Sequence, residues 1–212
     1  MGNDKNFTTE QLLKELNHVV PVIEDKNVGD IMLIVCHPDD EILFACATIL
    51  HANKIKKTVD IVIVCYDLDS ERIVEFMKHR SLFFNAHILQ CQDDFTYDEL
   101  KEKLITNVKL NELQHKEVIT HGDYGEYNNN QHILVHKGVR DIIFPTNNYL
   151  YTFDPERRYN IHITIPLDEE IIREKQRLLQ DYNSQNHLFS LRHTFSNCEY
   201  LNIEKGDEYP RG

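Results

Sequence analysis

The sequence predicts an α/β protein in which a mostly parallel sheet is covered by helices on both faces. Three observations lead there. Two apolar runs, Ile-Met-Leu-Ile-Val-Cys over 31–36 and Val-Asp-Ile-Val-Ile-Val-Cys-Tyr over 59–66, are rich in branched side chains, as strands buried on both faces are. Segments with helical spacing alternate with such runs, the pattern of successive βαβ units. The first run breaks into His37-Pro38-Asp39-Asp40-Glu41, and ligands of open α/β sheets sit beyond the C-terminal ends of strands.

Taken in order, Thr8 or Thr9 can cap a helix over 10–18 that Pro21 stops, and 27–30 reads as a turn. The strand over 31–36 runs directly into a helix over 41–53, with Ile42, Leu43, Ala45, Cys46, Ile49 and Leu50 apolar. The strand over 59–66 is followed by a polar loop over 67–70 and a helix over 70–84. A short strand over 86–89 precedes a helix over 97–108 that carries Leu100, Leu104 and Val108 at spacing four. The strand over 117–120 opens into His-Gly-Asp-Tyr-Gly-Glu-Tyr-Asn-Asn-Asn, whose glycines and asparagines predict a shaped loop without a regular element. A helix resumes near Gln131. Strands over 149–153 and 161–165 and a charged amphipathic helix over 168–182 follow. The last thirty residues read as irregular.

The 212 residues suit one domain over 1–212, with a helical extension over 1–29 and a frayed, disordered tail over 206–212. A formal charge of −12 without a dense basic run argues against a nucleic-acid groove or an anionic membrane surface. No stretch approaches the roughly 20 apolar residues of a membrane helix, and the first twenty residues are too polar for a signal peptide. Cys36, Cys46, Cys65, Cys91 and Cys198 are odd in number, and three lie in or beside apolar runs. Buried free thiols in a reducing compartment, and hence a cytoplasmic protein, are expected. The expected partner is a small molecule; a homo-oligomer is left open.

His37 and Asp40 offer an imidazole nitrogen and a carboxylate oxygen around Pro38. A catalytic zinc takes three protein ligands and keeps one position open. His132, just after the glycine- and asparagine-rich loop, is the candidate third ligand. Two histidines and a carboxylate suit non-haem iron equally. With Asp40 on the metal, Asp39 is left to face water whose acidity the ion raises, within reach to take its proton. Glu41 opens the helix, where negative charge is favoured, in a capping or supporting role. The plain alternative is an ordinary surface turn in which Asp39 or Asp40 caps the helix.

These residues resemble the N-acetylglucosaminyl-phosphatidylinositol de-N-acetylase family, also called PIG-L or LmbE-like. The resemblance is carried by His37-Pro38-Asp39-Asp40-Glu41 after an apolar strand, by 44–50, and by 120–136 with Gly125-Glu126-Tyr127 and Gln131-His132. Lys175 with Tyr182, Ser184 and Gln185 resembles the family's C-terminal helix end, and Glu199-Tyr200 a following strand. The resemblance implies a Rossmann-like three-layer fold and one zinc ion that hydrolyses the N-acetyl group of an N-acetylglucosamine-type amino sugar or its conjugate. It also implies His37, Asp40 and His132 as metal ligands, Asp39 as general base and Tyr127 as a group polarising the acetyl carbonyl. Arg72 resembles an arginine that holds sugar hydroxyls. Asn129 stands where the family has a histidine; it can donate a hydrogen bond but cannot shuttle a proton, and is assigned to substrate binding. His121 and His136 are candidate substitutes for that histidine. Asn129 also motivates a second reading, a sugar-binding or regulatory protein of the same fold with little or no hydrolysis.

Overall fold

The structure is a computed structural model that describes residues 30–65, 71–108, 116–145, 149–159, 162–185 and 198–205. The expected helix over 10–18 and tail over 206–212 lie outside those residues. Seven strands form one sheet in the order β3-β2-β1-β4-β5-β7-β6. They are β1 (Ile31–Val35), β2 (Val59–Cys65), β3 (Asn85–Cys91), β4 (Glu117–Thr120), β5 (Tyr149–Phe153), β6 (His162–Pro166) and β7 (Cys198–Lys205). Among the described residues six α-helices accompany them: α1 (Asp40–Lys54), α2 (Glu71–His79), α3 (Tyr97–Asn107), α4 (Gly125–Asn128), α5 (Asn130–Ile143) and α6 (Glu169–Gln180).

β1 lies between β2 and β4 and pairs in parallel with both, Leu33 facing Ile61 on one side and Ile119 on the other. All its residues are buried, which is why it carries no alternating polar positions. Asp60, the polar residue inside the β2 run, is buried against Lys116 Nζ at 2.9 Å and Asn85, the pairing a buried charge requires. Two apolar layers flank the sheet. One joins Leu33, Val35, Ile42, Phe44, Phe76 and Phe153 to α1, α2 and α6; the other joins Met32, Ile34, Leu100, Leu104, Val135 and Val139 to α3 and α5. Each fully buried aliphatic side chain contributes about 1.5–3 kcal/mol, so the ends of β1 and β4 are anchored from both faces. The strand order reverses between β1 and β4, the place where open α/β sheets form a crevice.

The C-terminal region differs from its hydropathy reading as irregular, while the strand that the resemblance expects at Glu199-Tyr200 is present. β7 is an eight-residue strand inserted antiparallel between β5 and β6. Its sequence hides it because Glu199, Asn202 and Glu204 are buried, so the hydropathy alternation of a strand is lost. Their partners lie on distant helices: His136 for Glu204, Lys175 for Glu199. The helix expected over 70–84 ends at His79, and a single 3-10 turn over Arg80–Leu82 completes it.

Candidate metal centre

At the end of β1 the chain turns at Pro38 into α1. Asp39 is the N-cap residue with φ 107°, and its side chain makes no capping hydrogen bond. That backbone conformation is costly for a residue with a Cβ. It is held by the buried Glu41, whose Oε2 accepts the Asp39 N–H at 2.8 Å while Oε1 accepts the Tyr182 hydroxyl. Asp40 Oδ2 accepts the His37 N–H at 2.9 Å. Glu41 therefore does the backbone work that an ordinary capping reading gave to the aspartates, and the Asp39 carboxyl is left out of it. Lys175 Nζ donates to Leu43 O at 2.7 Å, and Glu199 accepts the Ala47 and Thr48 N–H groups at 2.9 and 3.1 Å. These two charged side chains brace the first turns of α1 from α6 and β7.

At the end of β4 stands His121, and the loop after it closes back on itself through Glu126. Glu126 is fully buried. Its Oε2 faces His121 Nδ1 at 2.6 Å and His132 Nδ1 at 2.8 Å, and its Oε1 accepts the Gly122 N–H at 2.7 Å. Gly125, at φ +61°, permits the tight approach; a Cβ there would lie 2.6 Å from Ile133 Cγ1. Asn129 caps α5, its Oδ1 accepting the N–H groups of Gln131 and His132 at 2.9 and 3.4 Å.

The carboxylate of Glu126 fixes the tautomers. Both imidazoles present Nδ1–H to it, so each carries its lone pair on Nε2. For His121 that lone pair accepts the Cys36 N–H at 2.9 Å. Burial opposes charge on His121 while Glu126 and Asp40 raise its pKa to about 9; with Cys36 N–H on Nε2, the geometry supports the neutral ring. His132 Nε2 is buried without any hydrogen-bond partner, and burial lowers the His132 pKa. It points at Asp40 Oδ2, 3.4 Å away, and His37 Nδ1 lies 3.6 Å from the same oxygen.

A tetrahedral ion with metal–nitrogen and metal–oxygen bonds of about 2.0–2.2 Å spaces its ligand atoms about 3.3–3.5 Å apart. The edges from Asp40 Oδ2 to His132 Nε2 and His37 Nδ1, 3.4 and 3.6 Å, are close to that spacing, and all three ligand atoms lie within 4.8 Å of one another. Glu126, His121 and His132 also cluster, but their contacts of 2.6 and 2.8 Å are hydrogen-bond lengths. The donor set around Asp40 thus fits a metal ion, and the set around Glu126 is its support. Burial alone would raise the Asp40 pKa, yet His132, His121 and His37 hold it well below the carboxylate range. Asp39 is pushed well above it, first by burial and then by Asp40, with Arg72 opposing.

Tyr127, at φ 44°, sets its ring 5.5 Å from that of His132 and 6.2 Å from Phe44. Phe44 in turn stacks on Phe153 at 5.5 Å, forming an apolar wall beside the histidines. Arg72, on the first turn of α2, donates to Gln185 Oε1 and is near enough to act on Asp39. Asn129, expected at the substrate, has its side-chain oxygen committed to the α5 cap. His136 is buried against Glu204 at 2.9 Å on β7, away from this cluster. Glu126 was the residue without a sequence-derived role. Its signal was a carboxylate in a glycine-punctuated loop between two histidines, at 121 and 132.

No protein-family model matches the chain. An uncharacterized protein of Acanthamoeba polyphaga mimivirus is 30% identical over 153 residues, covering 59% of this chain and 63% of that protein. The N,N'-diacetylchitobiose deacetylase of Pyrococcus horikoshii superimposes with a TM-score of 0.65 at 14% identity, over 99% of this chain and 97% of that one. A teicoplanin-pathway deacetylase gives 0.66 at 14% identity, over 84% and 99%. The fold is that of the LmbE/PIG-L-type deacetylases. This deacetylase-type fold also serves another reaction: the 4-carboxy-2-hydroxymuconate hydratase of Pseudomonas putida gives 0.59 at 14% identity, over 87% and 98%. The reaction must therefore be argued from the site. Among the described residues, no helix is long and apolar enough to cross a membrane.

Proposed function

We propose that this chain is a zinc-dependent N-deacetylase of the LmbE/PIG-L family, releasing acetate from an N-acetylglucosamine-type amino sugar or its conjugate. The observation that carries the reading is the buried, unpartnered Nε2 of His132, aimed at Asp40 while Glu126 holds the opposite nitrogen. An imidazole clamped in that tautomer beside a carboxylate is how protein metal ligands are prepared. The deacetylases among the structural neighbours support it further.

His37, Asp40 and His132 would hold the zinc ion. When bound, it polarises the acetyl carbonyl and brings the acidity of water near neutrality, to a pKa of about 7. Asp39 takes the proton of the attacking water and then delivers it to the nitrogen as the carbon–nitrogen bond breaks, leaving a free amine and acetate. Its raised pKa suits a group that must hold a proton in mid-reaction. Tyr127, whose hydroxyl burial keeps protonated, donates a hydrogen bond to the developing oxyanion. Arg72 would hold the sugar hydroxyls beside Asp39, and the Asn129 amide NH2 group would donate to the substrate. We assign the chain to the cytoplasm, where buried thiols such as Cys36, Cys46, Cys65 and Cys91 stay reduced. The whole of 1–212 is read as one deacetylase domain.

A sugar-binding protein with little turnover is the second reading, favoured by Asn129, which caps α5 and carries no proton to the leaving amine. Metal analysis of the purified protein followed by an acetate-release screen separates the two. The screen covers a free N-acetylhexosamine, a nucleotide sugar, a thiol or inositol conjugate and a polysaccharide precursor. Acetate from one of them, abolished by Asp39→Asn, supports the enzyme. Stoichiometric zinc with no acetate from any supports the binding protein.

A further inference from the structure

Beside this centre lies a second cluster that the deacetylation reading does not use. Cys36 follows β1 and Cys65 ends β2, the strand next to it. The two thiols point to the same side, with Sγ atoms 3.9 Å apart. Cys36 Sγ lies 3.7 Å from His37 Nε2, and Asp93 Oδ1, beyond the end of β3, lies 3.4 Å from that same nitrogen. Cys36, His37 and Cys65 place one ligand atom each within 4.8 Å of one another, and Asp93 adjoins that trio through its contact with His37 Nε2.

The edge lengths can be compared with those of a metal tetrahedron. Zinc–sulfur bonds of about 2.3 Å and zinc–nitrogen or zinc–oxygen bonds of about 2.0–2.2 Å give edges of about 3.8 Å between sulfurs, 3.5 Å between sulfur and nitrogen, and 3.4 Å between nitrogen and oxygen. The observed values are 3.9, 3.7 and 3.4 Å. Two sulfurs, an imidazole and a carboxylate suit zinc and softer ions such as cadmium rather than magnesium or calcium. Access exists: the Asp93 side chain is 76% exposed and that of His37 15%, although the cysteines are buried.

We propose that Cys36, Cys65, Asp93 and the Nε2 of His37 form a second metal site for a thiophilic divalent ion, and that it regulates the first. The two sites share His37, whose Nδ1 faces Asp40 and whose Nε2 faces the thiols. Binding forms two metal–sulfur bonds, one metal–nitrogen bond and one metal–oxygen bond. Each thiol and the His37 Nε2–H release a proton to solvent, and nothing is oxidised or reduced. Closing the sulfur–nitrogen edge from 3.7 Å to about 3.5 Å draws the His37 ring towards the thiols and away from Asp40, already 3.6 Å distant, which weakens its hold on the ion there and lowers activity. Only that last arm rests on the deacetylase reading.

The test is a titration of the zinc-loaded protein with cadmium, read by the ultraviolet thiolate-to-cadmium charge-transfer band. The expected result is a band that saturates at one cadmium per chain. Cys65→Ser removes it, Asp93→Asn weakens binding at least about tenfold, and Cys198→Ser leaves it intact. Because Cys65 is buried, the surface variant Asp93→Asn keeps the outcome readable if Cys65→Ser folds poorly. Where acetate release is measurable, excess zinc inhibits the wild type and not Cys65→Ser. A wild type without the band, or a folded Cys65→Ser that keeps it, overturns the proposal. Inhibition without the band would also overturn it, and absence of deacetylation with the band present would refute the activity alone.

Discussion

Replacing Glu126 by glutamine keeps the size of the side chain and removes the hinge of the proposed centre. Glu126 Oε2 faces both histidine Nδ1 atoms, at 2.6 and 2.8 Å, and Oε1 accepts the Gly122 N–H at 2.7 Å. A glutamine has one acceptor oxygen. If it faces the histidines, its NH2 group meets the Gly122 N–H, donor against donor. Turned over, its NH2 group forces both imidazoles to accept on Nδ1, which moves the His132 proton onto Nε2. There it blocks the lone pair aimed at Asp40, and on His121 it collides with the Cys36 N–H. Either arrangement leaves a buried polar conflict of about 1–3 kcal/mol, a fall in Tm of about 2–12 °C for a chain of this size. Loss of the supporting carboxylate weakens metal affinity about 10–100-fold, or about 1.4–2.8 kcal/mol. Zinc competition against a chromophoric chelator, with melting of the metal-free protein, reads both. A Glu126→Gln variant with wild-type zinc affinity would refute the reasoning that this carboxylate sets the tautomer of His132.

Asp39→Asn retains the metal and loses about 10²–10⁴ in turnover, measured as acetate release beside metal content. His132→Ala loses metal as well as activity, because it removes the prepared lone pair; a variant that still holds stoichiometric zinc would contradict this. Lys175→Met leaves Glu199 buried without its cation, costing about 3–5 kcal/mol in a denaturant titration. Burial lowers the pKa of His79 in the fold, so the unfolded chain binds more protons as pH falls through about 6.5. Stability therefore declines from pH 7 towards pH 5, and His79→Asn flattens that slope in melts across the window.

The strands that position the site were legible because burial on both faces leaves an uninterrupted apolar run, as in β1 and β2. The junction at His37 to Glu41 was legible because its polar residues begin where the apolar run stops. β7 was legible only through the resemblance at Glu199-Tyr200; hydropathy hid it, because its polar residues are satisfied by partners far away in the chain and hydropathy cannot see a partner. Glu126 was hidden for a related reason. A carboxylate acquires meaning only when the fold brings His121 and His132 to the same oxygen. His121 was legible as a polar strand end but not in its job, since the Cys36 N–H that occupies its ring nitrogen is a tertiary contact. Asn129 has a second job that its motif position did not show: its side-chain oxygen caps α5.

The most direct test is an anomalous difference map at the zinc edge from crystals of protein loaded with one equivalent of zinc. The account predicts a peak at bonding distance from His37 Nδ1, Asp40 Oδ2 and His132 Nε2, with the Asp39 carboxyl facing it and Glu126 still bridging the two histidines. A peak held by His121 and Glu126, or none between His37 and His132 in zinc-loaded protein, would contradict it.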